Sequence, residues 1–317
     1  MRKLAIVALL LLLGCVTLPW ETQKDELEMV PNSANALIIF RPSSLLNDSD
    51  FIALYNSSEE MQLEIKRIEA TTGINPTNVE RIVLFFKFDS LEQESETYGG
   101  FIARGKIEKE KILDSMKLNN LINELKYNNQ IIYEVTSKEA PENKTYFSFL
   151  QNFLVGGSKE AVEDSVDLVN GKGESIKARS SLKRVYEKLD EKAVFMLLFE
   201  NTEAIRRELN SSDGSFGVAA FSKTKSTGFS ISKEGRKINF KAIILADDAP
   251  SANDISKLIE SSLSLARGIS PAESTLADVL GKIKVETHTE EIWVKLETNL
   301  DEIEKLNKEL DELYQET

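Results

Sequence analysis

Two residue types suited to nucleophilic or metal chemistry occur once each in this 317-residue chain, as Cys15 and His288. One cysteine and one histidine exclude a disulfide framework, a Cys/His zinc site and a two-histidine metal motif. Serine catalysis needs a nucleophile beside a base, and the chain contains no Gly-x-Ser-x-Gly turn. We therefore predict a protein that is not an enzyme and has no catalytic residue, metal or cofactor. Carboxylate catalysis stays open, because 52 acidic residues offer many pairs.

His288 lies in segment 284–295, whose alternating apolar and polar residues are typical of strands. The alternation places His288 and Glu286 on the face opposite Val285. A half-exposed strand ordinarily carries its polar side chains on the solvent side, so we expect a surface histidine rather than a general base.

The position of Cys15 in the sequence is more informative than the fact that the chain has one cysteine. Arg2 and Lys3 precede an unbroken apolar run from Leu4 to Leu13. That run is too short for a bilayer-spanning helix, which needs about 20 residues, and has the length of the apolar part of a secretory signal. The motif Leu12-Leu13-Gly14-Cys15 directly follows and resembles the lipobox of prokaryotic lipoproteins.

The lipobox resemblance implies that residues 1–14 are removed as a signal peptide and that a lipid is attached to Cys15. Residues 15–29 would then be the lipidated cysteine and its tether, and the protein would be anchored on the outer, extracytoplasmic face of the cell membrane. An uncleaved N-terminal anchor and an ordinary signal peptide with a chance thiol are the alternatives.

The charge of the chain excludes one class of partner. Lys and Arg total 39 against 52 Asp and Glu, a net charge of −13. Removal of Arg2 and Lys3 with the signal leaves 37 basic against 52 acidic residues, a net charge of −15. So acidic a chain, with no basic block, is a poor match for nucleic acid. An anionic membrane surface would also repel it, so the lipid would provide the attachment.

Four Asn-x-Ser/Thr sequons are candidate glycosylation sites. They begin at Asn47, Asn56, Asn143 and Asn210. Modification would place these loops at the surface of an exported protein, whereas sequons also arise by chance in loops rich in Asn and Ser.

The order of the predicted elements indicates an α+β fold built from two similar halves. Residues 30–175 and 176–317 each follow the pattern strand, helix, strand pair, helix, strand pair, helix. Adjacent strand pairs joined by short turns favour antiparallel sheets with helices packed on them, and oppose a doubly wound parallel fold. We predict a tandem duplication of one α+β unit.

Individual segments give more specific expectations. The short apolar runs Ala34–Phe40 and Ala193–Phe199, which show no alternation, predict strands that are buried on both faces. Apolar spacing predicts a helix from Lys109 to about Leu125.

The general appearance of the body, including the Gly73-Ile74-Asn75-Pro76 turn, is similar to uncharacterised exported proteins of archaea and bacteria. This resemblance implies no activity. We expect a non-enzymatic lipoprotein that presents a binding surface to an envelope protein. The alternative is a solute-binding lipoprotein of a transporter that holds a small solute between its halves.

Overall fold

One antiparallel sheet of twelve strands runs through the described residues of the computed structural model, which are 25–89, 98–211, 220–271 and 274–315. The strands are β1 Ala36–Phe40, β2 Val79–Phe86, β3 Gly99–Gly105, β4 Asn120–Tyr127, β5 Gln130–Ser137, β6 Lys144–Leu150, β7 Phe153–Gly157, β8 Phe195–Glu200, β9 Thr224–Glu234, β10 Lys237–Ala246, β11 Lys284–His288 and β12 Glu291–Asn299. The predicted signal segment 1–14, Cys15 and most of the predicted tether lie outside the described residues.

The two halves of the chain meet at the pairing of β1 with β8, from Ala36 opposite Phe199 to Phe40 opposite Phe195. The order across the sheet is β11-β12-β10-β9-β8-β1-β2-β3-β7-β6-β5-β4. Counted outward from the β1–β8 pair, the first half runs β1, β2, β3 and then β7, and the second half runs β8, β9, β10 and then β12. In both halves, the last strand in the chain therefore lies beside the third. The predicted α+β class with an antiparallel sheet is confirmed. The duplication and the boundary between units stay predictions.

Helices cover parts of both faces. They are α1 Pro42–Leu46, α2 Ser49–Ser57, α3 Glu59–Thr72, α4 Lys109–Asn119, α5 Lys159–Val169, α6 Ser180–Tyr186, α7 Glu203–Ser211, α8 Ala249–Ile269, α9 Thr275–Lys282 and α10 Leu300–Gln315. None of the helices in the described ranges has the length and hydropathy needed to cross a membrane.

The largest apolar core lies on one side of the sheet, which we call the closed face. Leu37 and Ile39 of β1 are buried there, beneath residues of α5, α6 and the short 3-10 turns Glu26–Glu28 and Ile176–Ala178. The core reaches from Ile132 and Leu150 in the first half to Ile243 and Leu245 in the second. One core therefore joins the two halves.

The opposite side of the sheet carries two separate clusters, one towards each end. Ile112 of α4 packs there with Ala103 and Leu154 of the first half. Ala252 and Ile255 of α8 pack with Ile244, Ile292 and other residues of the second half. The strands between these clusters are β1, β2, β8 and β9.

Helix α6 approaches β9 closely because β9 has small side chains on the closed face. The backbone of Gly228 lies beneath Val185, and a Cβ built on Gly228 would be 2.4 Å from Val185 Cγ1. The Ser226 hydroxyl donates to the Ser181 carbonyl oxygen at 3.1 Å. Gly228 is thus required by close packing, since no positive φ accompanies it.

Two sequence predictions are wrong in part. The helix predicted over Lys109–Leu125 ends at Asn119, and residues 120–127 form β4 because they pair along their whole length with β5. The central strands β1 and β8 are buried on the closed face only. On the other face, Ile38 and Phe40 are half-exposed and Leu197 is exposed.

The contact between α6 and β9 predicts strong coupling between Gly228 and Val185. We expect Gly228→Ala to lower the free energy of unfolding by about 1–3 kcal/mol through overpacking. Val185→Ala should lower it by about 2 kcal/mol through lost burial and a cavity. In the double variant the new methyl group occupies the space left by valine, so the two losses should fall short of their sum by about 1 kcal/mol or more.

Urea unfolding of the wild type, both single variants and the double variant measures this coupling. Gly281→Ala is the matched control, because a Cβ at Gly281 meets no atom within 4 Å. Additive losses for Gly228→Ala and Val185→Ala would contradict the packing described.

Candidate functional site

The main candidate site is an apolar surface at the centre of the sheet, on the side opposite the closed face. We call it the open face, and it consists of fifteen positions in three cross-strand rows, each read from β2 through β1, β8 and β9 to β10. The rows are Ile82, Phe40, Phe195, Ile231 and Phe240; Leu84, Ile38, Leu197, Phe229 and Ala242; and Phe86, Ala36, Phe199, Thr227 and Ile244. Fourteen of the fifteen side chains are apolar, and none carries a charge.

Exposure distinguishes this surface from a core. Leu197 at its centre is 41% exposed, whereas Leu198, the next residue of the same strand, is 0% exposed on the closed face. Of the fifteen positions only Ala36 and Ile244 are buried, and the others are half-exposed or, for Leu197, exposed. Alternation along β8 therefore places one leucine in the core and its neighbour in contact with solvent.

Phenylalanine supplies much of the open face. The rings of Phe229 and Phe240 stack with centroids 6.2 Å apart. Beyond the third row, the ring of Phe88 lies 6.0 Å from that of Phe86 and 6.4 Å from that of Phe199. Aromatic side chains have large apolar areas and few rotatable bonds, so they form a surface that loses little entropy when covered.

Charged side chains bound the open face beyond its first row. Lys233, two residues after Ile231 in β9, places its Nζ 2.7 Å from Asp48 Oδ2 and 2.8 Å from Asp50 Oδ2. Burial alone would raise the pKa of the Asp48 carboxyl, but hydrogen bonds from Lys233 and from the Phe51 and Asp50 backbone amides hold that pKa below its usual range. The charge of Lys233 is therefore compensated by the carboxylates of Asp48 and Asp50.

The dimensions of the open face suit a ligand rather than a single side chain. Five strands spaced by about 4.8 Å and three rows separated by about 6.8 Å give a surface about 20 Å wide and about 14 Å long. An exposed apolar patch of a few hundred Å² ordinarily marks a site for a partner, a membrane or a ligand. Phe101, packed against the α4 cluster, and Val294, packed against the α8 cluster, are the next residues on either side of the middle row.

A cavity of about 280 Å³ lies on the closed face. Leu37, Leu182, Leu198 and Tyr186 contribute to its lining. The Tyr186 hydroxyl accepts a hydrogen bond from Arg81 at 2.9 Å. This cavity belongs to the packing of α6 on β1 and β8, and its size is near the lower limit for a small-molecule site.

The residues predicted from the sequence are dispersed. Asn47, Asn56, Asn143 and Asn210 are all exposed, so each side chain is accessible, and glycosylation stays a prediction. His288 is exposed at the end of β11, with its Nε2 3.3 Å from Glu286 Oε2. Cys15 lies outside the described residues. Within the described ranges, no group of three or more His, Cys, Asp and Glu side chains is arranged to hold a metal ion.

Residues 104–317 match the model of the family described as "Protein of unknown function (DUF3352)". The chain belongs to this family. The match begins in β3, so it includes most of the sheet but not β1 and β2 of the open face. No curated protein sequence matches this DUF3352 chain.

Solved structures resemble the fold of this DUF3352 protein. Crystal form III of the Treponema protein TP0453 superposes with a TM-score of 0.51 at 11% identity, and covers 89% of this chain and 97% of that one. Crystal form IV of TP0453 gives a TM-score of 0.50 at 12% identity, with 89% and 95% covered. At these identities the likeness concerns the fold alone.

The open face was not predicted from the sequence, although part of its signal is present there. Apart from Asn35, the runs Ala34–Phe40 and Ala193–Phe199 place apolar residues on both faces of a strand. That pattern is the same whether the second face is covered by the protein or left for a ligand. The distinction depends on where the helices pack, and the strand sequence does not contain that information.

The two adjacent leucines of β8 test whether the open face is a structural core. We expect Leu198→Ala to lower the free energy of unfolding by about 3 kcal/mol, the usual effect of a cavity in a closed core. Leu197→Ala should lower it by less than about 1 kcal/mol, because its side chain is already partly in water. Chemical denaturation of the two variants gives both values. Equal losses would show that the open face is covered by the fold.

Proposed function

We propose that this DUF3352 protein is a non-enzymatic, extracytoplasmic lipoprotein whose open face binds the acyl chain of an amphiphile. The observation that carries the proposal is the set of three cross-strand rows in which fourteen of fifteen side chains are apolar and most are half-exposed, on strands whose other face is buried in the main core. Burial of the rows by a ligand would remove apolar surface from water at about 25 cal/mol per Å².

The chemistry of the open face favours an acyl chain over a sugar or an amino acid. A site for a polar solute needs hydrogen-bonding groups that fix its orientation. Thr227 supplies the only side-chain hydroxyl among the fifteen positions, and Lys233 at the border is already paired with Asp48 and Asp50. An acyl chain requires no directional partner, and each methylene that it buries contributes about 0.8 kcal/mol.

The predicted anchor places such ligands within reach. Ten residues separate Cys15 from Asp25, the first described residue, and a fully extended chain of this length spans at most about 35 Å. A lipid on Cys15 would therefore hold the body of the protein close to a bilayer, the main source of acyl chains. The net charge of −13 opposes direct adsorption of the body onto anionic lipid, so the open face would be reached by single molecules.

Ligand binding can be measured with a fluorescent fatty acid whose emission increases in apolar surroundings. We expect saturable binding to the full chain, and an affinity at least about tenfold lower for Leu197→Lys, because a charge at the centre of the open face must lose its hydration when the ligand covers it. Leu265→Lys in α8 is the matched control, since Leu265 is 68% exposed on a helix and belongs to none of the three rows. Equal binding by both variants, or no binding by the wild type, would overturn the proposal.

Membrane attachment is tested separately by Cys15→Ser. With the thiol removed, no lipid can be attached, and we expect the protein to leave the membrane fraction and to differ in mass from the wild type. Fractionation and mass spectrometry of both forms provide the comparison. A Cys15→Ser variant that stays membrane-bound at the mass of the wild type would refute the lipid anchor.

A further inference from the structure

A second site is indicated on the other side of the sheet, where β10, β11 and β12 extend beyond α6. The indole ring of Trp293 is surrounded there by lysines from two strands and from the residue segment after α6. Lys241 Nζ lies 4.4 Å from the ring centroid, Lys295 Nζ 4.8 Å and Lys188 Nζ 5.9 Å. Three ammonium groups therefore lie around one ring in a chain of net charge −13.

The carboxylate of Glu291 fixes the ring and one of these lysines. Trp293 Nε1 donates to Glu291 Oε2 at 3.1 Å, and Lys188 Nζ donates to both carboxylate oxygens at 2.6 and 2.7 Å. Arg184 Nε donates to the same carboxylate at 2.7 Å. Burial would raise the pKa of Glu291, but these hydrogen bonds outweigh it and hold the pKa below its usual range. Glu291 is therefore charged, and both of its carboxylate oxygens already accept hydrogen bonds.

Lys241 differs from the other two lysines in its ion pairing within the described residues. Lys295 has an ion pair with Glu286 at 2.8 Å, whereas no carboxylate of the described residues forms an ion pair with Lys241. The recorded hydrogen bond of its Nζ goes to the Lys188 backbone carbonyl at 2.5 Å. Asp190, whose charge also acts on Lys241, is bonded to Ser232 and to the Lys192 amide.

The register of the sheet places like charges next to each other. Lys241 is directly opposite Lys295 in the pairing of β10 with β12, an arrangement that ordinarily destabilises a sheet. Burial, followed by the charges of Lys295 and Lys188, lowers the pKa of Lys241, although Asp190 acts in the other direction. The ring of Trp293 compensates only in part, because a cation–π contact at a partly exposed position contributes about 0.5–1 kcal/mol.

We propose that Lys241 and Lys295, supported by Trp293, bind a phosphate group on the face of the sheet opposite the open face. Lys241 offers a positive charge that no ion pair of the described residues engages, and Lys295, which also contacts Glu286 at 2.8 Å, adds a second ammonium donor beside it. Lysine is a common point-charge ligand for phosphate. The carbonyl of Lys188 holds the Lys241 ammonium in place before the ligand arrives. Both lysines and the tryptophan are half-exposed, so a ligand can reach them.

The phosphate group could belong to a free phosphorylated solute or to the headgroup of a phospholipid. The chemistry at Lys241 and Lys295 is the same for both sources, and the experiment separates them. The site shares no residue with the open face, so its failure would leave the proposed acyl-chain site unaffected, and failure of the open face would leave this site unaffected.

Trp293 can report binding once Trp20, the other tryptophan, is replaced. Full-length Trp20→Phe, Cys15→Ser protein is titrated with inorganic phosphate at constant ionic strength, with chloride as the reference anion. Fluorescence and titration calorimetry are recorded together, so that binding without a spectral change is still detected. We expect saturation with phosphate but not with chloride, and at least tenfold weaker binding after Lys241→Met.

The matched control is Lys237→Met, which removes the same charge from the same strand. Lys237 pairs with Glu297 at 3.4 Å, and both side chains are exposed. Lys295→Met is a second test variant, in case Lys241→Met impairs folding as judged by urea unfolding. Unchanged phosphate binding in a folded Lys241→Met or Lys295→Met variant, equal loss in Lys237→Met, or no binding at all would overturn the site.

Vesicles of phosphatidylglycerol and of phosphatidylcholine distinguish the two sources. A response to phosphatidylglycerol vesicles that is lost in Lys241→Met supports the site and assigns the phosphate to a lipid headgroup. A response to inorganic phosphate without a Lys241-dependent response to either vesicle supports the site and assigns it to a free phosphorylated solute.

Discussion

The constraint on which the rest of this structure depends is the two-residue period of a strand. A strand with apolar residues at successive positions places them alternately on the two sides of its sheet. Removing all of them from water then requires a covering layer on each side. The central strands β1 and β8 are such strands. On the closed face Leu37, Ile39 and Leu198 are buried in the core that joins the two halves of the chain. On the other side the covering is incomplete, and this difference creates the open face.

The helices explain why the covering is incomplete. On the side of the open face, α4 packs over strands of the first half and α8 over strands of the second, each with its own cluster. The two clusters are separated by the pair of strands at which the halves meet. The junction between the two halves of the chain is therefore also the place where the apolar surface is available. An apolar surface at the junction follows from the arrangement of the strands and of these two helices.

Much of the local structure could be predicted from the sequence. The apolar runs correctly indicated the strands β1 and β8. The helical prediction failed at residues 120–125, because pairing with β5 is a tertiary interaction that outweighs local apolar spacing.

The two sites were harder to predict for related physical reasons. The exposure of Leu197 depends on where α4 and α8 pack among the described residues, which the sequence of β8 cannot indicate. The state of Lys241 depends on two tertiary features. Lys188 and Lys295 form ion pairs with the nearby carboxylates, and the register of β10 with β12 places Lys241 opposite Lys295. By contrast, the anchor at Cys15 is a prediction from sequence alone. The two surfaces and the predicted anchor are separate: the structure shows an apolar surface on one face of the sheet and a group of lysines on the other, and the anchor stays a prediction.

The central claim is that an acyl chain lies along the three rows of the open face. The most direct measurement is methyl NMR of the isotope-labelled protein with a fatty acid that carries a nitroxide on its chain. The account predicts selective broadening of the methyl signals of Ile38, Leu84 and Leu197, with the signals of exposed Leu63 and Leu265 unaffected. Broadening of Leu63 and Leu265 with sharp signals from the three rows, or no selective broadening at saturation, would contradict it.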